Sequence, residues 1–176
     1  MNILVSILVI LAAIIVLLLL IAFFLKREHY VRRAIVINAP AQKIFAYIRL
    51  LKNQDAFNKN AMEEPDREKE FRGVDGTVGY VYAWKGDKKA GVGEKEIMSI
   101  VEGKSIKTEI RFIKPMRVTA TILMELESIS ADQTKVYWTN SGILNYPLNL
   151  LVPMLQKHVV KDMDASLQIL KGILEK

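Results

Sequence analysis

The chain has 176 residues, a formal net charge of +6 and no cysteine, which excludes disulfides, thiolate metal sites, cysteine nucleophiles and a lipoprotein acylation site. Its lysines and arginines are interspersed with acids, as in Pro65-Asp66-Arg67-Glu68-Lys69-Glu70, and no basic stripe is interleaved with aromatics. A nucleic-acid partner is therefore not expected, whereas an anionic membrane surface suits the basic excess.

Ile3 to Leu25 contains no charge and stops at Lys26, Arg27, Arg32 and Arg33. At about 1.5 Å per residue a helix of this length crosses a hydrocarbon core of roughly 30 Å. A cleavable signal would need a basic start, an apolar core of about 7 to 15 residues and a small-residue cleavage site. Here only Asn2 precedes the run, which ends in the bulky Ala22-Phe23-Phe24-Leu25. The expectation is a membrane anchor over residues 1–27 and one domain over residues 28–176. With all the flanking Lys and Arg after the segment, that domain is expected in the cytoplasm.

Tyr30 to Ile37 reads as a strand closed by Asn38-Ala39-Pro40, after which Ile44, Ile48 and Leu51 recur on one helical face. The polar stretch through Asn53, Asn58 and Asn60 suggests a second short helix and a loop ending near Pro65. From about Glu70 to Ser141 the period becomes two, punctuated by turn signals at Gly73, Gly76, Lys85-Gly86-Asp87, Gly103, Pro115 and Ala131-Asp132. Ile106, Thr108, Ile110 and Phe112 form one face of a strand against Lys107, Glu109 and Arg111. Val118, Ala120, Ile122, Met124 and Leu126 repeat the pattern, and Val78, Tyr80, Tyr82 and Trp84 make a bulky third face. An antiparallel meander follows. Leu151, Leu155, Val159, Met163, Leu167, Leu170 and Leu174 then trace a long final helix, whose start Pro147 and Pro153 leave open. The fold class is α+β: a curved antiparallel sheet wrapped around the last helix and preceded by one transmembrane helix.

The segments AIVINAPAQKIFAYI, GTVGYVYAWKG, GVGEKEIMSI, TKVYWTNSG and KDMDASLQILKGILEK, in this order, resemble the SRPBCC superfamily of START-like, helix-grip domains, within it the polyketide cyclase/dehydrase-like branch. Where similar proteins tend to carry a tryptophan-rich turn after the first helix, this chain has Asp55-Ala56-Phe57-Asn58. The resemblance implies a cavity between sheet and last helix that takes lipids, sterols, polyketides or other apolar molecules. The expected lining is Tyr80, Tyr82, Trp84, Ile110, Phe112, Ile122, Met124, Trp138, Leu155, Val159 and Met163. The residues agree, since Tyr and Trp add a polar handle to a large apolar surface, although each taken singly reads as ordinary core before ligand contact.

Evidence for chemistry is sparse in the sequence. The glycines of GVDGTVG and GVG sit among strands and read as turns and bulges rather than a phosphate cradle. His29 falls in the membrane flank and His158 on the last helix, so neither a metal nor a cofactor is expected. Glu94 and Glu96, flanked by Lys95, share a strand face and read as solvent-facing, with an acid-base pair as the alternative. No serine carries a nucleophile elbow. The expected function is a membrane-anchored, non-catalytic binding protein for a hydrophobic small molecule or lipid. A polyketide cyclase or dehydratase and an interaction or scaffold protein stay open, as do the ligand's identity and the oligomeric state.

Overall fold

The computed structural model describes residues 2–86 and 91–176; Asp87 of the expected turn at 85–87 lies outside the described residues. Helix α1 (Ile3–Phe24) is followed by strand β1 (Glu28–Ile37), helix α2 (Ala41–Ile48), a 3-10 turn (Leu51–Ala56) and the short helix α3 (Lys59–Met62). Six strands follow, β2 (Glu68–Arg72), β3 (Val81–Lys85), β4 (Val92–Val101), β5 (Ser105–Lys114), β6 (Val118–Ser130) and β7 (Gln133–Ile143). A second 3-10 turn (Leu148–Leu151) leads straight into α4 (Val152–Leu174). Pro153 lies in the first turn of α4, where its missing N–H removes no helical bond.

The strands form one antiparallel sheet in the order β1-β7-β6-β5-β4-β3-β2. Register shifts between Ile97 and Ser99 in β4 and between Ser128 and Ser130 in β6 bend the sheet. The all-exposed, charge-rich β2 blunts one edge of the sheet against pairing with another chain. Tyr80 lies outside β3, because the chain turns before it, with the Tyr80 N–H donating to the Thr77 carbonyl at 3.2 Å.

The apolar stripe of α4 is used in two ways. Its C-terminal half, Met163, Leu167, Leu170 and Leu174, packs into a core with Ile37, Ile44, Ile48, Phe57, Ile97 and Val136. The N-terminal half, Leu155 and Val159, stays half-buried over an open space. Helix and sheet are pinned together by Arg33, which donates to both Asp164 oxygens at 2.6 and 2.9 Å, and by Lys171, which donates to the Val36 carbonyl at 2.7 Å.

α1 is long and apolar enough to cross a membrane, a property that signal sequences near an N-terminus share. Its C-terminal end is docked on the rest of the chain. The last carbonyls of a helix lack intrahelical partners, and here the fully buried Asn149 amide donates to the Ala22 and Leu25 carbonyls at 2.5 and 3.0 Å. Ala22 is buried against this turn, and the Leu144 N–H donates to the Arg27 carbonyl at 2.8 Å.

Candidate functional site: a cavity under the sheet

Where α4 lifts from the sheet, a cavity of about 690 Å³ opens, within the roughly 300 to 1,000 Å³ typical of ligand pockets. Of the expected lining, Tyr82, Trp84, Ile110, Phe112, Ile122, Trp138, Leu155, Val159 and Met163 stand in its wall. Tyr80 and Met124 do not. Both are buried in the closed core, Met124 on β6 and Tyr80 just before β3. Burial pushes the Tyr80 hydroxyl up to about 12, with the Asp75 and Asp55 carboxylates adding to the shift.

The aromatic wall is interlocked. Trp84 meets Phe112 edge to face at 5.9 Å, and Trp138 meets Phe57 in the same way at 6.0 Å. Two glycines make room for side chains of this wall. A Cβ at Gly93 would lie 2.6 Å from the Trp84 ring and 2.9 Å from the Arg111 carbonyl, and one at Gly142 would lie 2.6 Å from the His29 ring. Gly93→Ala should therefore push the Trp84 ring out of its seat. The expected result is a loss of about 1 to 3 kcal/mol in thermal unfolding, typical of overpacking, together with altered tryptophan emission. An unchanged emission spectrum would mean that the ring does not depend on this seat.

The polar part of the wall was not foreseen from the sequence. The Tyr82 hydroxyl lies 2.7 and 2.9 Å from the two Asp55 oxygens, and Arg67 Nη2 donates to Asp55 and to the Tyr82 oxygen, each at 3.0 Å. Lys69 adds an ion pair to Asp55 at 2.9 Å. Burial, then the hydrogen bond to Asp55, pushes the Tyr82 hydroxyl far above its ordinary range. Lys95 points to this side, opposite Tyr82 across the β3–β4 pair, and its Nζ donates to Gln54 Oε1 at 2.6 Å. Burial first, and the Arg67 charge second, pull the Lys95 ammonium down to about 8.

His29, expected in a membrane flank, is instead buried in the cavity wall, where Nε2–H donates to Asn140 Oδ1 at 2.9 Å. His158 lies on the rim, 69% exposed, with Nε2 3.1 Å from Asp162. The two histidines that looked unrelated thus border one cavity. Among the described residues, no three His, Asp or Glu side chains gather as metal ligands would.

Glu94 and Glu96 point away from the cavity, as the alternation with Lys95 requires. They are not simply solvated. Arg111 donates to Glu94 at 2.8 Å, to Glu109 at 2.6 Å and to Glu96, while Arg72 reaches Glu94 at 2.6 Å. The Arg111 hydrogen bond is the main reason the Glu94 carboxyl titrates below the usual range.

The exposed wall residues define the mouth. Phe112, Pro115 and Met116 stand on one side, Leu151, Met154 and His158 on the other, and Asn60 and Glu63 around α3. Asn149, which caps the end of α1, lies two residues before Leu151, so the mouth adjoins the end of the apolar helix.

The curved seven-stranded sheet gripping a long C-terminal helix is matched by solved structures. An aromatase/cyclase from Streptomyces sp. R1128 superposes with a TM-score of 0.62 at 16% identity, covering 84% of this chain and 94% of that one. This chain has the helix-grip fold. Truncated norcoclaurine synthase from Thalictrum flavum matches this helix-grip chain with a TM-score of 0.61 at 12% identity, covering 85% of this chain and 95% of that one. Ara h 8.0201 matches at 0.58 and 15% identity, covering 84% and 97%. No family profile and no curated protein matches the sequence. At such identities the likeness establishes the helix-grip fold, and function has to be argued from the cavity.

Proposed function

We infer that this protein is a membrane-tethered binding protein that holds an apolar or amphiphilic small molecule, such as a lipid, in its helix-grip cavity without transforming it. The observation that carries the reading is a sizeable cavity walled by apolar and aromatic side chains, both tryptophans of the chain among them. Its mouth supports the membrane part. The exposed Met116, Leu151 and Met154 border the opening beside the end of α1, where a bilayer would meet them. The basic flank Lys26 and Arg27 favours a cytoplasmic side for residues 28–176.

A cyclase-type enzyme is the second reading. Two helix-grip neighbours are an aromatase/cyclase and a synthase, and the Tyr82–Asp55 pair stands in the cavity wall. Such an enzyme would turn over a bound polyketide, which the binding reading does not expect.

Tryptophan emission tests occupancy. Trp84 lies on β3 and Trp138 on β7, so a ligand reaching both must enter the cavity. A long-chain amphiphile brominated along its chain should quench the full-length protein in nanodiscs saturably, and should still do so in Trp84→Phe and in Trp138→Phe. Quenching that never saturates, or that vanishes in one of the two variants, would contradict occupancy of the cavity.

A further inference from the structure

Two cations, Arg67 and Lys95, stand in the cavity wall beside Asp55, and the lining also holds the carboxylates Glu63, Glu64 and Asp162, the last paired with Lys59 at 3.3 Å. The Arg67 side chain is only 8% exposed, and its Nε–H has no acceptor. Its Nη2 already shares Asp55 with the Tyr82 hydroxyl and Lys69. Asp55 therefore already receives three donors. An ammonium has three N–H donors, and among the described residues Lys95 has Gln54 as its one partner, a neutral amide oxygen. Another stretch of the wall is apolar, with Ile110, Ile122, Leu155 and Val159 offering no polar side-chain atom, although the His29–Asn140 pair also stands in the wall.

A buried guanidinium and a half-buried ammonium that repel each other, beside a carboxylate already holding three donors, are costly without a further counter-charge. Water would satisfy their donors without offsetting the charge. A bound anion would do both, and charge-assisted bonds to an oxyanion are the stronger kind. We propose that Arg67 and Lys95 form a subsite for the anionic head group, carboxylate or phosphate, of an amphiphile whose chain lies along the apolar stretch of the cavity wall. The inference rests on the cavity being a ligand site and adds the chemical class of the ligand.

The test uses full-length protein in phosphatidylcholine nanodiscs and three probes of equal chain length brominated at the tail: an alkyl carboxylate, an alkyl phosphate and the neutral alcohol. Tryptophan quenching at pH 7 should show at least one anion binding tenfold or more tightly than the alcohol. Which anion binds tighter identifies the head group. In Lys95→Met and in Arg67→Met the anion-to-alcohol ratio should fall towards one. The wild-type comparison does not depend on either variant folding. Equal affinity for all three probes overturns the subsite while leaving the ligand-site reading intact. Saturable quenching by none of them overturns both.

Discussion

Met163→Trp should abolish occupancy of the cavity while leaving the fold in place. Met163 is buried on α4 at the boundary between the closed core and the cavity wall, so a larger side chain there has empty volume on one side. An indole directed into that space adds contacts without displacing the core, and stability should change by no more than about 1 to 3 kcal/mol, the range for overpacked sites. Affinity for an apolar probe should fall at least tenfold, because the volume the chain needs is filled. Val159→Trp, at a half-buried wall position further towards the mouth, should act in the same direction. Unaltered probe affinity in both variants, with normal unfolding curves, would mean that the probe binds elsewhere.

Lys95→Met should stabilise the unliganded protein. Burial and Arg67 lower the Lys95 ammonium from 10.5 to about 8, so the folded state holds its proton less tightly than the unfolded state does. Between those two values the unfolded chain binds more protons, and stability rises with pH. Below about 8 the folded protein carries the full burden of a buried charge. A methionine of similar length removes that burden but leaves Gln54 Oε1 without its donor, which offsets part of the gain. The net expectation at pH 7 is a rise of about 1 to 2 kcal/mol in unfolding free energy, since each tenfold weakening of proton binding corresponds to about 1.4 kcal/mol. The advantage should shrink as the pH is raised through the window from about 8 to 10.5. A variant less stable than the parent at pH 7 would show that Lys95 is well solvated or already paired. A cation kept at a cost to stability is what a functional role in the cavity would explain.

Much of this architecture was legible in the sequence, because periodicity reports which face of an element is covered. The α4 stripe from Leu155 to Leu174 and the alternation along β5 and β6 read as they stand in the fold, whereas Leu151, the expected start of the stripe, lies in the 3-10 turn before α4. Periodicity does not report depth along a face. Tyr80 and Tyr82 alternate together, as do Met124 and Ile122, yet only Tyr82 and Ile122 reach the open part of the sheet. What decides is where α4 closes down, and this depends on long-range packing. The polar wall escaped for a different reason. Gln54, Asp55 and Asn58 lie in a polar stretch that reads as a short helix and loop without an apolar face to orient them, and Arg67 belongs to a run of alternating charges. For Lys95 a signal was available: it shares its strand face with Gly93 and Ile97, both buried. His29 likewise shares a face with the buried Val31.

Native mass spectrometry of the full-length protein, released from the membrane in which it was expressed, tests the central claim most directly. The wild type should fly with one amphiphile bound per cavity, its head group acidic, and Met163→Trp should fly without it. Wild-type protein that is folded, membrane-extracted and free of any adduct would contradict the account. So would an adduct equally abundant in the filled variant.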